Sequence, residues 1–361
     1  MSYLQWQANG EVAGGIWRAA LQEGNTMATN VVRHVEADLG YAGQVRIPYW
    51  ELDSGSPGPC VLIAAAQHGN EVQGAEAMRR ALPDVQAHLR RGRCLMVPFA
   101  NLPALRNLHP HIDFVLSRTP CSLLAHNLNC NWPGKSDGNA AQRLAAALFG
   151  ALVGQATHCF DLHCWNAFWA ATALPRKSNP ESVRLAQAIA LPFIRLMDDP
   201  VPAQPPPANC NLGSYFSSTG RVGLAIEFAG QYAFWEEQLR IGARAVRNFL
   251  RALDMLDGAL EGQEDPSVVL DDSRIVDVKA PHSGLFCATA GLAPADPVAA
   301  AAVLGTVLGD DDLASTVLTA PAAGRLYQFG ACHAFTSEHS MMWYHPYVKA
   351  GETVARIVRT V

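Results

Sequence analysis

Short unbroken apolar runs alternate with stretches of helical periodicity through the first two thirds of the chain. Residues 60–66 (CVLIAAA) follow a Pro/Gly turn at 55–59 and form a continuous apolar run. Such a run is the signature of a strand covered on both faces. Residues 94–99 (CLMVPF), 157–162 and 222–228 (VGLAIEF) repeat the pattern, and residues 45–52 (VRIPYWEL) read as another strand. Between these lie helical patterns at 71–82, 140–153, 181–190 and 232–256, the last with arginines on its polar side. The alternation predicts an α/β layer built on a largely parallel sheet. The opening forty residues show no clear period.

Beyond the acidic stretch 257–265 the helical period stops. Short β-like runs at 273–278, 284–287, 324–328 and 352–358 are joined by turns such as APHSG (280–284), APAAG (320–324) and VKAGE (348–352). Two Ala-Pro-x-x-Gly turns, one in each half, predict an internally duplicated β module. The division therefore falls near residue 265, giving a catalytic unit of residues 1–264 and a β-rich unit of residues 265–361. The Pro-rich segment 200–207 (PVPAQPPP) reads as an extended, exposed loop inside the first unit.

Composition narrows the function. With 49% hydrophobic and 16% charged residues among 361, the chain is globular, not disordered. A net charge of −5 without a Lys/Arg block argues against nucleic acid as the main partner. The N-terminus lacks the charged-then-apolar pattern of a signal peptide, and no apolar stretch is long enough for a bilayer span. Nine cysteines without a CxxC pair indicate neither a disulfide framework nor a zinc knuckle. The expectation is a soluble, cytoplasmic protein with a small-molecule substrate and no membrane partner. Whether it forms a homo-oligomer stays open.

The chemistry concentrates where strands end. Gln67-His68-Gly69-Asn70-Glu71 follows the strand at 60–66 and opens the next predicted helix. Across a first helical turn, His68 and Glu71 can converge on one ion, with Gly69 keeping the backbone clear. Asp161-Leu162-His163, ending the strand at 157–162, supplies a third ligand. A catalytic zinc takes three protein ligands and leaves one position open, so the expected cofactor is one Zn²⁺ per chain. Asp161 is then placed to orient an imidazole. Glu227 sits inside the apolar strand 222–228, where a carboxylate needs a partner or a cleft. A general base beside the metal meets that need, and a structural ion pair is the alternative. Arg118, in a stretch poor in other charges, is the candidate oxyanion stabiliser, with an ordinary surface arginine as the alternative. His109, His111 and His126 read as scattered loop histidines sooner than as a second metal site. Trp165, Phe168 and Trp169 either wall a pocket for an acyl group or fill core.

These residues resemble the succinylglutamate desuccinylase/aspartoacylase family, which belongs with the zinc carboxypeptidases. The resemblance rests on HGNE (68–71), Asn101-Leu-Pro-Ala (101–104), NLNCNWPG (127–134), DLH (161–163) and the strand carboxylate Glu227, in the family's order. It implies a zinc-carboxypeptidase-like mixed sheet flanked by helices. The chain end resembles the all-β module, a barrel or lipoyl-like hairpin, of the family's longer members. No Lys occupies an obvious hairpin tip: Lys279 precedes a Pro turn and Lys349 a Gly turn, so the module reads as structural. By the same resemblance His68, Glu71 and His163 hold zinc, Glu227 is base and acid, Arg118 is the oxyanion arginine, and Asn129 is a substrate contact. The chain departs from the family at Cys130, where an arginine usually follows the Asn of Asn-Leu-Asn-Arg. A thiol cannot form the bidentate pair that a guanidinium makes with a carboxylate. Either Arg106, Arg176 or Arg221 replaces that grip, or the substrate lacks a carboxylate there. Asn129, Cys130, Arg176 and Trp165 are thus the candidate substrate residues. The activity implied is hydrolysis of the amide bond of a small N-acylated amino acid or related compound. A metallocarboxypeptidase-like peptidase and a catalytically weakened binding protein are the alternatives.

Overall fold

The computed structural model describes residues 28–112, 123–198, 210–331 and 346–359. Arg118 and the Pro-rich segment 200–207 lie outside the described residues.

The first unit runs β1 (Thr29–Asp38), β2 (Gln44–Asp53), β3 (Cys60–Ala65), α1 (Gln73–His88), β4 (Arg93–Val97), α2 (Leu102–Arg106), α3 (Leu123–His126), α4 (Ala140–Leu148), β5 (His158–Trp165), β6 (Thr172–Pro175), α5 (Pro180–Ala188), β7 (Phe193–Ile194), α6 (Leu212–Ser218), β8 (Val222–Ala229) and α7 (Glu236–Ala252). Its sheet has nine strands in the order β1-β2-β4-β3-β5-β8-β6-β7-β9, where β9 is Val268–Val269. The central strands β4, β3, β5 and β8 are parallel, while β1 and β2 pair antiparallel and β6 runs against β8. The sheet is therefore mixed. Its last strand lies beyond residue 265, so the connection to the second unit is stitched into the first unit's edge.

Side-chain alternation explains how the sheet is covered on both faces. Val61, Ile63, Phe160, Leu162, Leu224 and Ile226 pack with α1, α5 and α7. Leu62, Ala64, Leu95 and Cys159 pack with α4 and α6 on the other side. Local chemistry starts the helices. Asn139 and Gln142 form a reciprocal capping box at α4, and Asn179 followed by Pro180 opens α5. Among the described residues no helix is long and apolar enough to cross a membrane.

Several elements differ from the sequence expectation. The helix expected from residue 71 begins at Gln73, so His68 and Glu71 stand on the loop before it. The strand expected at 157–162 continues to Trp165, which puts His163 inside β5 instead of after it. The polar Asp161 and His163 disguise this continuation, because they break the apolar run while Leu162 and Cys164 keep the alternation on the other face. The helix expected at 140–153 ends as a π-turn over Phe149–Val153, and α7 is shorter at both ends than 232–256. Strands β6, β7 and β9 carry two to four residues each, too few to show a period.

The second unit holds β10 (Ile275–Lys279), β11 (Gly284–Ala288), β12 (Pro297–Val298), β13 (Val303–Gly309), β14 (Ser315–Thr319), β15 (Gly324–Phe329), β16 (Tyr347–Val348) and β17 (Thr353–Arg359). They form two four-stranded antiparallel sheets, ordered β10-β17-β15-β12 and β14-β13-β11-β16. Exchanging β10–β13 for β14–β17 turns one order into the other. The module is thus duplicated, with the two Ala-Pro-x-x-Gly turns at equivalent places. Ala280 and Ala320, which open these turns, are both buried. The module docks on the first unit through Tyr327, whose carbonyl accepts from Ala170 N at 2.9 Å, and through Phe329 N donating to Phe168 O at 2.8 Å.

Candidate metal centre

The site begins where β3 runs out. Ala66 adopts a left-handed backbone conformation (φ 52°) and turns the chain into the loop 67–71. Asn101 pins that loop: its backbone N–H donates to Ala66 O at 3.0 Å and its side-chain amide to Gln67 O at 3.0 Å. Gly69 lies against α2, and a Cβ there would come within 2.4 Å of backbone atoms of Leu105 and His109. Glycine at 69 is thus required by close approach of another backbone.

On this loop His68 Nδ1 lies 2.8 Å from Glu71 Oε1. From β5, His163 Nδ1 lies 2.8 Å from the other oxygen, Glu71 Oε2. One ligand atom from each of the three residues falls within 4.8 Å of the others. Among the described residues this is the sole cluster of that kind, so His109, His111 and His126 form no second one. The far side of each ring is also held. His163 Nε2 is 3.0 Å from Asp161 Oδ2, and His68 Nε2 is 2.9 Å from Asn127 Oδ1. Asp161 is in turn gripped by Gln67 Nε2 at 2.7 and 2.8 Å, and Gln67 Oε1 accepts from Trp132 Nε1 at 2.8 Å. The acceptors Asn127 and Asp161 at Nε2 favour, in each ring, the tautomer that presents Nδ1 to a bound cation.

Glu227 stands on β8 directly beside His163 in register. Its carboxylate makes no ion pair or hydrogen bond within the described residues, which disfavours a structural salt bridge. Burial and then the nearby Glu71 carboxylate push its pKa up to about 8, with His163 opposing. Burial would raise Glu71 as well, but His68 and His163 outweigh it and hold that carboxyl well below the usual range. His163 is held well above its ordinary value: burial works against its charge, and Asp161 and Glu71 overcome it. Two imidazoles and one carboxylate make an N/O donor set of the kind that fits zinc, and Asp161 and Glu227 add negative charge nearby.

The remaining candidates divide. Asn129 reaches the centre, its amide nitrogen 3.2 Å from His163 Nε2 and its oxygen accepting from Leu212 N at 3.1 Å. Cys130 is part-buried beside it, and burial raises its thiol pKa despite the opposing charge of His163. Arg176 is engaged elsewhere, donating to Asp198 O at 2.7 Å and to Ser214 Oγ at the start of α6. Arg221 lies over the Phe216 ring and donates to Val153 O and Ala156 O, so it braces a loop. Arg106 is exposed on α2. Trp165 packs 5.7 Å from Trp169 and 6.2 Å from Tyr327, within the junction between the two units.

Sequence reading gave no role to Gln67, Asn127 or Gln231. Gln231 Nε2 donates to Cys164 O at 2.6 Å and approaches Glu71 Oε1 at 3.4 Å. Gln67 and Asn127 lay inside the quoted motifs, where a polar residue flanking a ligand was the available signal. Gln231 had none. His111 also packs here, edge-on to His68 at 5.6 Å, with Nδ1 buried and without a partner among the described residues.

Residues 57–253 match the model of the succinylglutamate desuccinylase/aspartoacylase catalytic domain. The N-alpha-acetyl-L-2,4-diaminobutyric acid deacetylase of Halomonas elongata is 26% identical over 274 residues, which is 73% of this chain and 75% of that protein. An aspartoacylase family protein from Mesorhizobium loti shares the fold with a TM-score of 0.64 at 22% identity, covering 94% of this chain and 97% of its own. The ectoine utilization protein of Ruegeria pomeroyi, in a product-bound structure, gives 0.63 at 20% identity over 94% and 98%.

Proposed function

Because the chain belongs to the succinylglutamate desuccinylase/aspartoacylase family, we propose that it is a zinc-dependent amidohydrolase releasing a small acyl group from the nitrogen of an amino acid or related compound. The observation that carries this reading is the convergence of His68, Glu71 and His163 beside the unpaired Glu227 carboxylate. His68, Glu71 and His163 would hold one zinc ion. When bound, that ion supplies Lewis acidity, polarising the acyl carbonyl and lowering the pKa of water. Glu227 takes the proton from the attacking water and returns it to the leaving amine. Asp161 and Asn127 keep the two imidazoles in the metal-binding tautomer, and the family resemblance assigns Arg118 to the oxyanion.

Cys130 narrows the substrate. Without a guanidinium at that position, the chain favours an acyl group that carries no carboxylate of its own. The compound in the name of the Halomonas relative has an acetyl group of this kind on an amino acid that keeps its α-carboxylate, so an N-acetylated diamino acid heads the panel. The test is amine release by zinc-loaded and chelator-treated protein. The substrates are N-acetyl-2,4-diaminobutyrate, N-acetyl amino acids, N-succinylglutamate and a C-terminally free peptide. Activity on small N-acyl compounds that vanishes on chelation and returns with zinc is expected. Full activity without metal, or preference for the peptide, overturns the reading.

A further inference from the structure

A cavity of about 450 Å³ lies on the α7 side of the sheet, between that helix, the connection around residues 262–265 and the loop before β12. Four arginines descend α7. Arg240 pairs with Glu237 at 2.7 Å, and Arg247 and Arg251 both pair with Glu261. Arg244, between them, makes no ion pair among the described residues and faces the cavity. Its Nη2 donates to Ala190 O at 2.6 Å, whereas its Nε is buried without a partner. Gly262 gives the guanidinium its place: a Cβ on that left-handed residue would come within 2.5 Å of Arg244 Nη1. Arg244 is half-buried, and Glu237, Glu261 and Glu264 act on its charge without pairing with it, so its guanidinium keeps room for an anion on the cavity side.

Glu264 faces the same cavity, with no hydrogen bond or ion pair among the described residues. Arg244 and Glu264 form no ion pair among the described residues, although the Glu264 charge reaches Arg244, so a positive and a negative group flank one space. Ile241, Pro192 and Ala190 supply an apolar wall. We propose that this cavity binds a small aliphatic amino acid as its zwitterion. The carboxylate lies on Arg244, the ammonium on Glu264 and the side chain against Ile241 and Pro192. A phosphate dianion would meet three arginines, of which Arg240 and Arg325 are already paired with Glu237 and Asp265, and an acidic rim that adds Glu264 and Asp296, so the charge pattern disfavours it. The cavity is also lined by Ala229, the last residue of β8, whose backbone N–H donates to Gln238 Oε1 at 3.0 Å. An occupant therefore touches the strand that carries Glu227, outside the metal centre.

The test is calorimetric titration of the full chain with L-leucine and L-2,4-diaminobutyrate, before and after chelation of metal. Saturable one-to-one binding that survives chelation is expected. Arg244→Gln and the surface variant Glu264→Gln should each weaken it roughly tenfold or more, the loss of one charged hydrogen bond. Isocaproate and isoamylamine, each lacking one charge, should bind weaker by a similar factor. Three outcomes overturn the proposal: no saturable binding of either amino acid, affinity unchanged in both variants, or tighter binding of inorganic phosphate.

Discussion

His163 and Glu227 are register partners on the adjacent parallel strands β5 and β8. Their side chains leave the same face of the sheet at the same height, so a cluster ligand and an unpaired acid are held by backbone hydrogen bonding. Strand spacing of roughly 4.8 Å sets their separation. Loop motion cannot easily change it, and this is the geometry a base beside a metal requires.

Glu227 carries a stability cost with a definite pH signature. Its folded pKa near 8 lies above the ordinary carboxyl value of 4.5. The native state therefore pays nothing for it below about pH 4.5 and loses stability as pH climbs through 8. In metal-free protein, Glu227→Gln should raise Tm relative to the parent by an amount that grows from pH 5 to 8 and then levels, reaching roughly 2 °C or more. Turnover by the metal-loaded variant should fall by roughly 10²–10⁴-fold with metal content unchanged. A Tm difference independent of pH would refute the raised pKa.

Asp161 acts through His163. Replacing it by Asn keeps the shape and removes the anion on Nε2, which Gln67 would still contact. Asp161→Asn should weaken zinc affinity roughly 10–100-fold, measured by competition with a chelating dye. Unaltered affinity would mean that the ring is held by packing alone.

A nucleophilic role for Cys130 is disfavoured. Burial raises its pKa, so its thiolate is scarce near neutral pH. Cys130→Ser should keep turnover within about threefold, an effect the size of one neutral hydrogen bond. Cys130→Arg should shift preference from N-acetyl toward N-succinyl substrates, visible mainly in KM. Loss of all activity in Cys130→Ser would contradict the assignment.

Tyr327 joins the two units. Buried at 1% exposure, its ring meets Trp169 at 5.0 Å and Phe193 at 5.2 Å. Tyr327→Ala should cost about 3–5 kcal/mol in denaturant unfolding and expose the connection near residues 257–270 to proteases. A loss below about 1 kcal/mol would show that the docking rests on the backbone hydrogen bonds instead.

Local pattern was enough to announce much of this protein. Apolar runs marked β3, β4 and β8, paired turns marked the duplicated module, and HGNE and DLH marked the three residues of the cluster, because each signal lies within a few neighbouring residues. What stayed hidden depends on partners far away in the chain. Glu71 and His163 are 92 positions apart, yet the His163 ring shares the Glu71 carboxylate with His68. The extension of β5 through His163 is invisible to an apolar-run reading, since its polar positions face the site. Neither Gln231 bonding across to Cys164 nor Arg176 being drawn away to α6 leaves a trace in sequence spacing. Sequence determined which groups are available for chemistry. Tertiary structure decided which of them meet, because register and helix packing alone set the distances between segments.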